Sequence, residues 1–283
     1  MAATPGAPDP LGDVSALPAQ KSVSVYGRTI RFYELGEGPT IVLLHGLGSR
    51  ASFDWGRVMR VLARDHHVLA PDQLGFGLSD KPLVSYGVPL WVDMLGGFLH
   101  ATGTARFDLL GESLGGWIAA SYTIAASDPA RGLPLPAHLV LTDAAGHRSL
   151  LARGGGAFGR PLSITQSQGS LATIFHDRSL ATPALARQQF EAKLEAGDGW
   201  TVQSFWQGME AADAFVDGRL GAIRVPTLVV WGGDDRLVPL ADGRDYAARI
   251  AGARLVVVPD CGHAPPVERP QAWLDAVQPF LGR

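Results

Sequence analysis

The sequence is poor in the features that mark several large classes of protein. It holds one cysteine, Cys261, so no disulfide can form within the chain. A single thiol in 283 residues suits a reducing compartment, and a cytoplasmic location is expected. No sign of charge dominates: 24 Lys and Arg face 27 Asp and Glu, a net charge of −3 without the basic surplus of a nucleic-acid binder. No apolar run reaches the ~18 residues that a membrane helix needs, so no membrane span is expected. Internal repeats are absent, as are H-E-x-x-H and C-x-x-C, and neither a metal nor a cofactor is expected. Residues 1–20 carry Pro5, Pro8, Pro10 and Pro18 but no basic start and no continuous apolar stretch. They read as a flexible tail rather than a secretory signal.

What the sequence has in excess is glycine, 35 of 283 residues, about 12% against a usual share of about 7%. No G-x-y period accompanies it, so these glycines serve turns and close backbone approaches. A hydrophobic share of 46% with 18% charged residues is that of an ordinary globular protein. At this length a chain buries roughly 75% of its unfolded surface and needs no staple.

Strand-like and helix-like runs alternate along most of the chain. Ser22–Tyr26 and Thr29–Leu35 read as a hairpin turned at Gly27, and Thr40–Leu44, His67–Ala70, Phe107–Leu110, Leu139–Thr142, Thr227–Trp231 and Arg254–Val258 as further strands. Between them, Trp55–Leu62, Tyr86–Thr102, Leu114–Ser127, Leu240–Ile250 and Pro270–Leu281 carry helical spacing. Such alternation predicts an α/β protein with a mainly parallel sheet covered on both faces. It breaks once, across about 80 residues between Asp143 and Pro226. That stretch contains Gly154-Gly-Gly156 and two helix-compatible segments, Pro183–Glu195 and Val202–Ala214, and reads as a helical insertion.

Between one predicted strand and helix stands Gly111-Glu-Ser113-Leu-Gly115, a G-x-S-x-G turn. Such a turn is strained, needs small flanking residues, and thrusts the serine oxygen out at the strand's carboxyl end beside a helix N-terminus. Ser113 is therefore the candidate nucleophile. A serine needs a base and an acid to orient that base, in the chain order Ser, acid, His. His263, just past the last strand, is the histidine with the right order and position. Asp235, directly after a strand, is the preferred acid, with Asp143 and Asp234 as alternatives. Two backbone N–H groups should form an oxyanion hole, that of Leu114 and one from His45-Gly-Leu-Gly48, taken as Leu47.

His45-Gly-Leu-Gly48, Asp72–Asp80, Gly111–Gly115, Trp231-Gly-Gly-Asp-Asp235 and Gly262-His263, in this order, resemble the α/β-hydrolase superfamily over nearly the whole chain after residue 21. The resemblance implies an α/β-hydrolase fold: a mainly parallel eight-stranded sheet, helices on both faces, and a helical cap inserted after the sixth strand. The expected division is a catalytic domain of 21–145 and 222–283 with a cap of 146–221. Asp217-Gly-Arg-Leu and Asp234-Asp-Arg-Leu-Val-Pro239 look like carbon–carbon hydrolases of ring meta-cleavage products. Those enzymes usually carry Asn before the nucleophile and Trp after the histidine, where this chain has Glu112 and Ala264.

The leading expectation from sequence is thus a serine esterase acting on small to medium hydrophobic esters, as monomer or homodimer. Carbon–carbon hydrolysis of vinylogous diketones and ligand reception with little turnover are the alternatives. Of the insertion's aromatics, Phe158, Phe175, Phe190, Trp200, Phe205, Trp206 and Phe215, most are expected to fill its own core and a minority to line a pocket.

Overall fold

The computed structural model describes residues 17–153, 163–209 and 215–282. Eight strands form one sheet: β1 Lys21–Val25, β2 Arg28–Leu35, β3 Thr40–Leu44, β4 His67–Pro71, β5 Asp108–Glu112, β6 Leu139–Thr142, β7 Thr227–Gly232 and β8 Arg254–Val258. Their order is β1-β2-β4-β3-β5-β6-β7-β8. The β1–β2 and β2–β4 pairs are antiparallel, and every later pair is parallel. The chain therefore has the α/β-hydrolase fold expected from its motifs.

Period-two alternation explains how short apolar strands serve two cores. Val42 and Leu44 of β3 enter one core, while Ile41 and Leu43 enter the other. The first core is closed by α3 (Val88–Ala101), α4 (Leu114–Ala126) and α8 (Leu240–Arg249), through Trp91, Trp117 and Tyr246. The second is closed by α1 (Ala51–Trp55), α2 (Met59–Leu62) and α10 (Pro270–Leu281), through Trp55, Leu62 and Trp273. Each fully buried aromatic contributes roughly 2–3 kcal/mol of apolar transfer energy, so strands of four to six residues suffice once both faces are covered.

Between β6 and β7 the described residues hold helices α5 (Ile164–Ile174), α6 (Pro183–Ala196) and α7 (Gly199–Gly208), with short 3-10 turns and no strand. Local signals set α6: Thr182 Oγ1 accepts from Leu185 N, Pro183 opens the first turn, and Gly197 ends it at φ 65°. Helices α5 and α6 join Phe53 of α1 and Val267 of α9 (Pro265–Glu268) in a third, smaller cluster. Helix α7 instead enters the first core through Val202 and Phe205.

Several sequence expectations need correction. The stretch Trp55–Leu62 is two short helices broken at Gly56–Val58, although Trp55, Val58, Met59 and Leu62 are all buried as their spacing required. Helices α5 and α9 carried no clear periodic signal and were not foreseen. The insertion's aromatics do not mainly pack among themselves: Phe205 lies 5.6 Å from Trp91 and 6.0 Å from Trp117, and Phe215 stacks on Trp117 at 5.1 Å. These rings fasten the segment to helices on the sheet. Residues 17–20 are not a free tail, since Gln20 Nε2 donates to Asp72 Oδ2 at 2.9 Å and Leu17 packs on the second core. Residues 1–16, Gly154-Gly-Gly156, Phe158 and the 210–214 end of the Val202–Ala214 segment lie outside the described residues. The string Gly154–Gly159 has the G-x-G-x-x-G spacing of a dinucleotide loop, but it follows the 3-10 turn Arg148–Arg153 rather than a strand.

Candidate active site

Ser113 sits between β5 and α4 at φ 54° and ψ −116°, one of the described non-glycine residues with positive φ. A β-carbon on Gly111 would strike the Gly115 carbonyl, and one on Gly115 would strike the Leu44 carbonyl. The small residues of the motif therefore let strand, turn and helix close on one another. Backbone bonds from Ser113 N to Thr142 O (3.0 Å) and from Ala145 N to Ser113 O (3.0 Å) hold the turn against β6 and the residues after it. Strain of this kind persists only where surrounding contacts over-determine it.

The serine hydroxyl meets His263. Ser113 Oγ lies 2.9 Å from His263 Nε2, and His263 Nδ1 lies 2.7 Å from Asp235 Oδ2. Asp235 Oδ1 accepts from Leu237 N at 2.8 Å and Val238 N at 3.0 Å. Its side chain is fully buried, yet these donors stabilise the anion. An anionic Asp235 assigns the Nδ1 proton to His263 and leaves Nε2 free to accept from Ser113. The structure thus brings Ser113, Asp235 and His263 into one line.

Neighbouring elements hold this line in place. His263 N donates to Ile174 O at the end of α5 (2.7 Å), and Arg236 Nη1 donates to Phe175 O (3.1 Å). Buried Glu268 accepts from Gly262 N, His176 N and Asp177 N, at 2.6, 3.1 and 2.8 Å. It ties the histidine loop to the end of α5. No periodic or motif signal marks this carboxylate in the sequence.

The alternative acids lie elsewhere in the network. Asp143 Oδ1 accepts from Gly232 N at 2.8 Å, and burial, then the Asp235 charge, pushes its carboxyl well above the usual range. Asp234 Oδ2 lies 2.8 Å from His176 Nδ1 with ion-pair rather than hydrogen-bond geometry. Two clusters have metal-ligand atoms within 4.8 Å of one another, Asp143-Asp235-His263 and His176-Asp234-Asp260. In the first, both nitrogens of His263 are already engaged. Cys261 is buried, and burial raises its thiol far above the ordinary value, so it stays a neutral thiol at physiological pH.

Two chambers open on either side of Ser113, sharing Leu47, Ser113 and His263. The smaller, of about 90 Å³, is lined by Asp54, Glu112 and Lys193 together with Phe53, Leu171 and Ile174. The larger, of about 430 Å³, is walled by Leu114, Trp117, Leu150, Phe205, Trp206 and Leu237, among others. Leu114, in the first turn of α4, has no intrahelical acceptor for its N–H. Leu47 lies across the shared opening, on the loop after β3.

The acidic pair Asp54–Glu112 escaped sequence reading. Asp54 Oδ2 accepts from Gly46 N at 2.7 Å and its Oδ1 from Ser49 Oγ at 2.5 Å. Glu112 is buried and lies near Asp54. Burial first, then the Asp54 charge, holds the Glu112 carboxyl well above the usual carboxylate range. Glu112 stood out only as an unusual neighbour of the nucleophile; nothing marked Asp54 as its partner.

Comparison with known proteins agrees with the geometry. Residues 41–276 match the alpha/beta hydrolase family. A 2-hydroxy-6-oxo-2,4-heptadienoate hydrolase from Pseudomonas putida is 32% identical over 263 residues, covering 90% of this chain and 93% of that protein. A 2-hydroxymuconate semialdehyde hydrolase from Pseudomonas sp. strain CF600 is 30% identical, covering 92% and 93%. The crystal structure of a meta-cleavage product hydrolase from Pseudomonas fluorescens IP01 superposes with a TM-score of 0.83 at 28% identity, over 92% of this chain and 97% of that one. Sheet order, elbow and family match converge: the chain belongs to the alpha/beta hydrolase family, in the branch resembling meta-cleavage product hydrolases.

Proposed function

We propose that this hydrolase cleaves the carbon–carbon bond of meta-cleavage-type vinylogous diketones through an acyl-enzyme on Ser113. The observation that carries the reading is similarity across nine-tenths of the chain to a hydrolase named for a 2-hydroxy-6-oxo-dienoate. It reverses the ranking drawn from sequence, in which ester hydrolysis came first. The two-chamber site supports it, because such a substrate has a polar conjugated end and an apolar acyl end flanking one ketone.

In this reading, His263 Nε2 takes the Ser113 proton as Oγ attacks the ketone carbon. The Leu47 and Leu114 N–H groups hold the oxyanion, a contribution of about 3 kcal/mol for each donor. Asp235 fixes the His263 tautomer and stabilises the imidazolium. The carbon–carbon bond then breaks with its electron pair entering the conjugated fragment, which leaves as it gains a proton. Water, activated by His263, attacks the acyl-enzyme, releases the carboxylic acid and restores Ser113. The balance is one diketone and one water to one acid and one shortened conjugated ketone. Residues 146–221 act as a cap that closes both chambers over a catalytic domain of 21–145 and 222–283.

Ester hydrolysis is the second reading, and Asp54 with Glu112 favours it. The Asp54 carboxyl and the buried Glu112 carboxyl both line the smaller chamber, where a dienoate would bring a carboxylate. A side-by-side assay decides. Turnover of a chromogenic 2-hydroxy-6-oxo-dienoate with higher kcat/KM than any p-nitrophenyl ester in an acyl-length series supports carbon–carbon hydrolysis; the reverse order establishes the esterase.

A further inference from the structure

Hydrogen bonds in the loop after β3 converge on one peptide, the one joining Gly46 to Leu47. Glycines flank Leu47 on both sides, and Gly48 has φ 64°, so torsional preference does little to hold this backbone. Among the described residues the Leu47 N–H has no protein acceptor, as an oxyanion donor requires. The peptide also runs close to the nucleophile: a β-carbon on Gly46 would lie 3.3 Å from Ser113 Cβ.

His45, directly after β3, is fully buried. Its Nδ1 lies 2.8 Å from Gly46 O and its Nε2 3.0 Å from Gln73 N. A carbonyl oxygen only accepts and a backbone N–H only donates, so these two partners assign the proton. Nδ1–H donates to Gly46 O, and Nε2 accepts from Gln73 N. The residue is held from two further sides, by Gln73 Nε2 donating to His45 O at 2.7 Å and by the Phe76 ring meeting the imidazole edge-on at 5.6 Å.

The Gly46 carbonyl and the Leu47 N–H belong to one planar unit. In a trans peptide the two point in opposite directions, so whatever holds the oxygen aims the N–H. Asp54 Oδ2 fixes the preceding peptide through Gly46 N at 2.7 Å. Ser49 N also donates to Gly46 O, but at 3.3 Å, a weaker restraint than the imidazole.

We propose that His45 is a positioning residue for the oxyanion hole: by holding Gly46 O, its Nδ1–H aims the Leu47 N–H at the oxygen that gains charge when Ser113 attacks. The inference rests on the proposed function only for attack by Ser113 and for Leu47 as a donor. It is the same for a ketone and an ester.

The test separates the two bonds of the ring. In His45→Asn the amide nitrogen stands where Nδ1 stands and keeps the bond to Gly46 O. In His45→Gln the amide oxygen stands where Nε2 stands and keeps the bond to Gln73 N. Each loses one buried hydrogen bond, so their Tm values should fall alike. His45→Gln should lower kcat about a hundredfold with KM within about threefold, and His45→Asn should stay within about fivefold of wild type. A trifluoromethyl ketone reports the hole directly. Ser113 Oγ bonds to its carbonyl carbon, the hydroxyl proton passes to His263 Nε2, and the carbonyl electron pair becomes the oxyanion. Its Ki should rise about a hundredfold in His45→Gln and little in His45→Asn, while the corresponding alcohol, which forms no adduct, binds all three alike. Should His45→Gln not fold, His45→Phe, which keeps the ring and neither bond, takes its place beside His45→Asn. Equal kcat losses in the two variants, or a loss carried by KM, mark a merely structural histidine and overturn the proposal. A wild type that forms no adduct removes attack by Ser113, and the proposed function with it. A tight wild-type adduct with an unchanged Ki in His45→Gln overturns the role of His45 alone.

Discussion

The two chambers beside Ser113 differ in nearly everything except the reacting groups between them. The smaller is built from the loop after β3, from α1, and from α5 and α6, which rest on the third cluster. The larger is built from α4, α7 and the loop after β7, and its floor is the first core. One is lined by Asp54, Glu112 and Lys193 beside Phe53 and Leu171; the other by Trp117, Phe205 and Trp206. Reactivity belongs to the sheet edge, where short strands and a strained turn fix three side chains. Selectivity belongs to the walls, which can change without moving the serine. Helices of a single insertion wall both sides, α5 and α6 on one and α7 on the other, so one segment sets both ends of the substrate.

The comparison can be broken at its centre or sharpened at either side. The largest effect is expected from Ser113→Ala, which should lower kcat by about a millionfold on every substrate while leaving Tm nearly unchanged. Single-turnover assays with a fluorophosphonate label as control measure it; residual turnover near wild type would remove Ser113 from the mechanism. Asp235→Asn should cost about ten-thousandfold, because the amide favours the wrong His263 tautomer. If Asp143→Asn costs as much and Asp235→Asn little, the acid has been misassigned. Trp206→Ala should lower kcat/KM about tenfold for long apolar acyl groups and change it little for short ones. An equal loss for short and long acyl groups would show that Trp206 does not wall the acyl chamber.

The smallest effect concerns stability and pH. Glu112 has a raised carboxyl pKa in the fold against an ordinary value of 4.5. The folded state then binds more protons than the unfolded one above that value, so stability falls as pH rises through the folded pKa. Glu112→Gln removes this loss. Its Tm should exceed wild type by about 2–4 °C at pH 8 and match it near pH 4. Equal Tm at both values would mean that Glu112 gains no proton on folding.

Much of the fold was legible because its signals are local. Thr40–Leu44 and Leu139–Thr142 are short apolar runs bounded by turn residues, and each forms a strand. Glycine had the same clarity: Gly111 and Gly115 stand where a β-carbon would strike backbone. Chain order and strand ends pointed to Ser113, Asp235 and His263, and hydrogen bonds of 2.9 and 2.7 Å join them in the structure. Helix α5 was not legible, because Ile164–Ile174 buries only Ser167 and Leu171 and has little apolar periodicity. Glu268 and Asp54 were missed because a buried carboxylate is justified by donors distant in sequence, such as His176 N for Glu268.

The sequence by itself determined the sheet, the elbow and the order of the reacting groups, since each depends on spacing within a few residues of a strand end. Tertiary structure decided which acid meets His263, that Glu112 is buried near Asp54, and which side chains wall the two chambers beside Ser113. Those facts depend on side chains from helices far apart in the chain converging around one oxygen. No local pattern encodes that convergence, because burial and charge pairing are properties of the packed molecule.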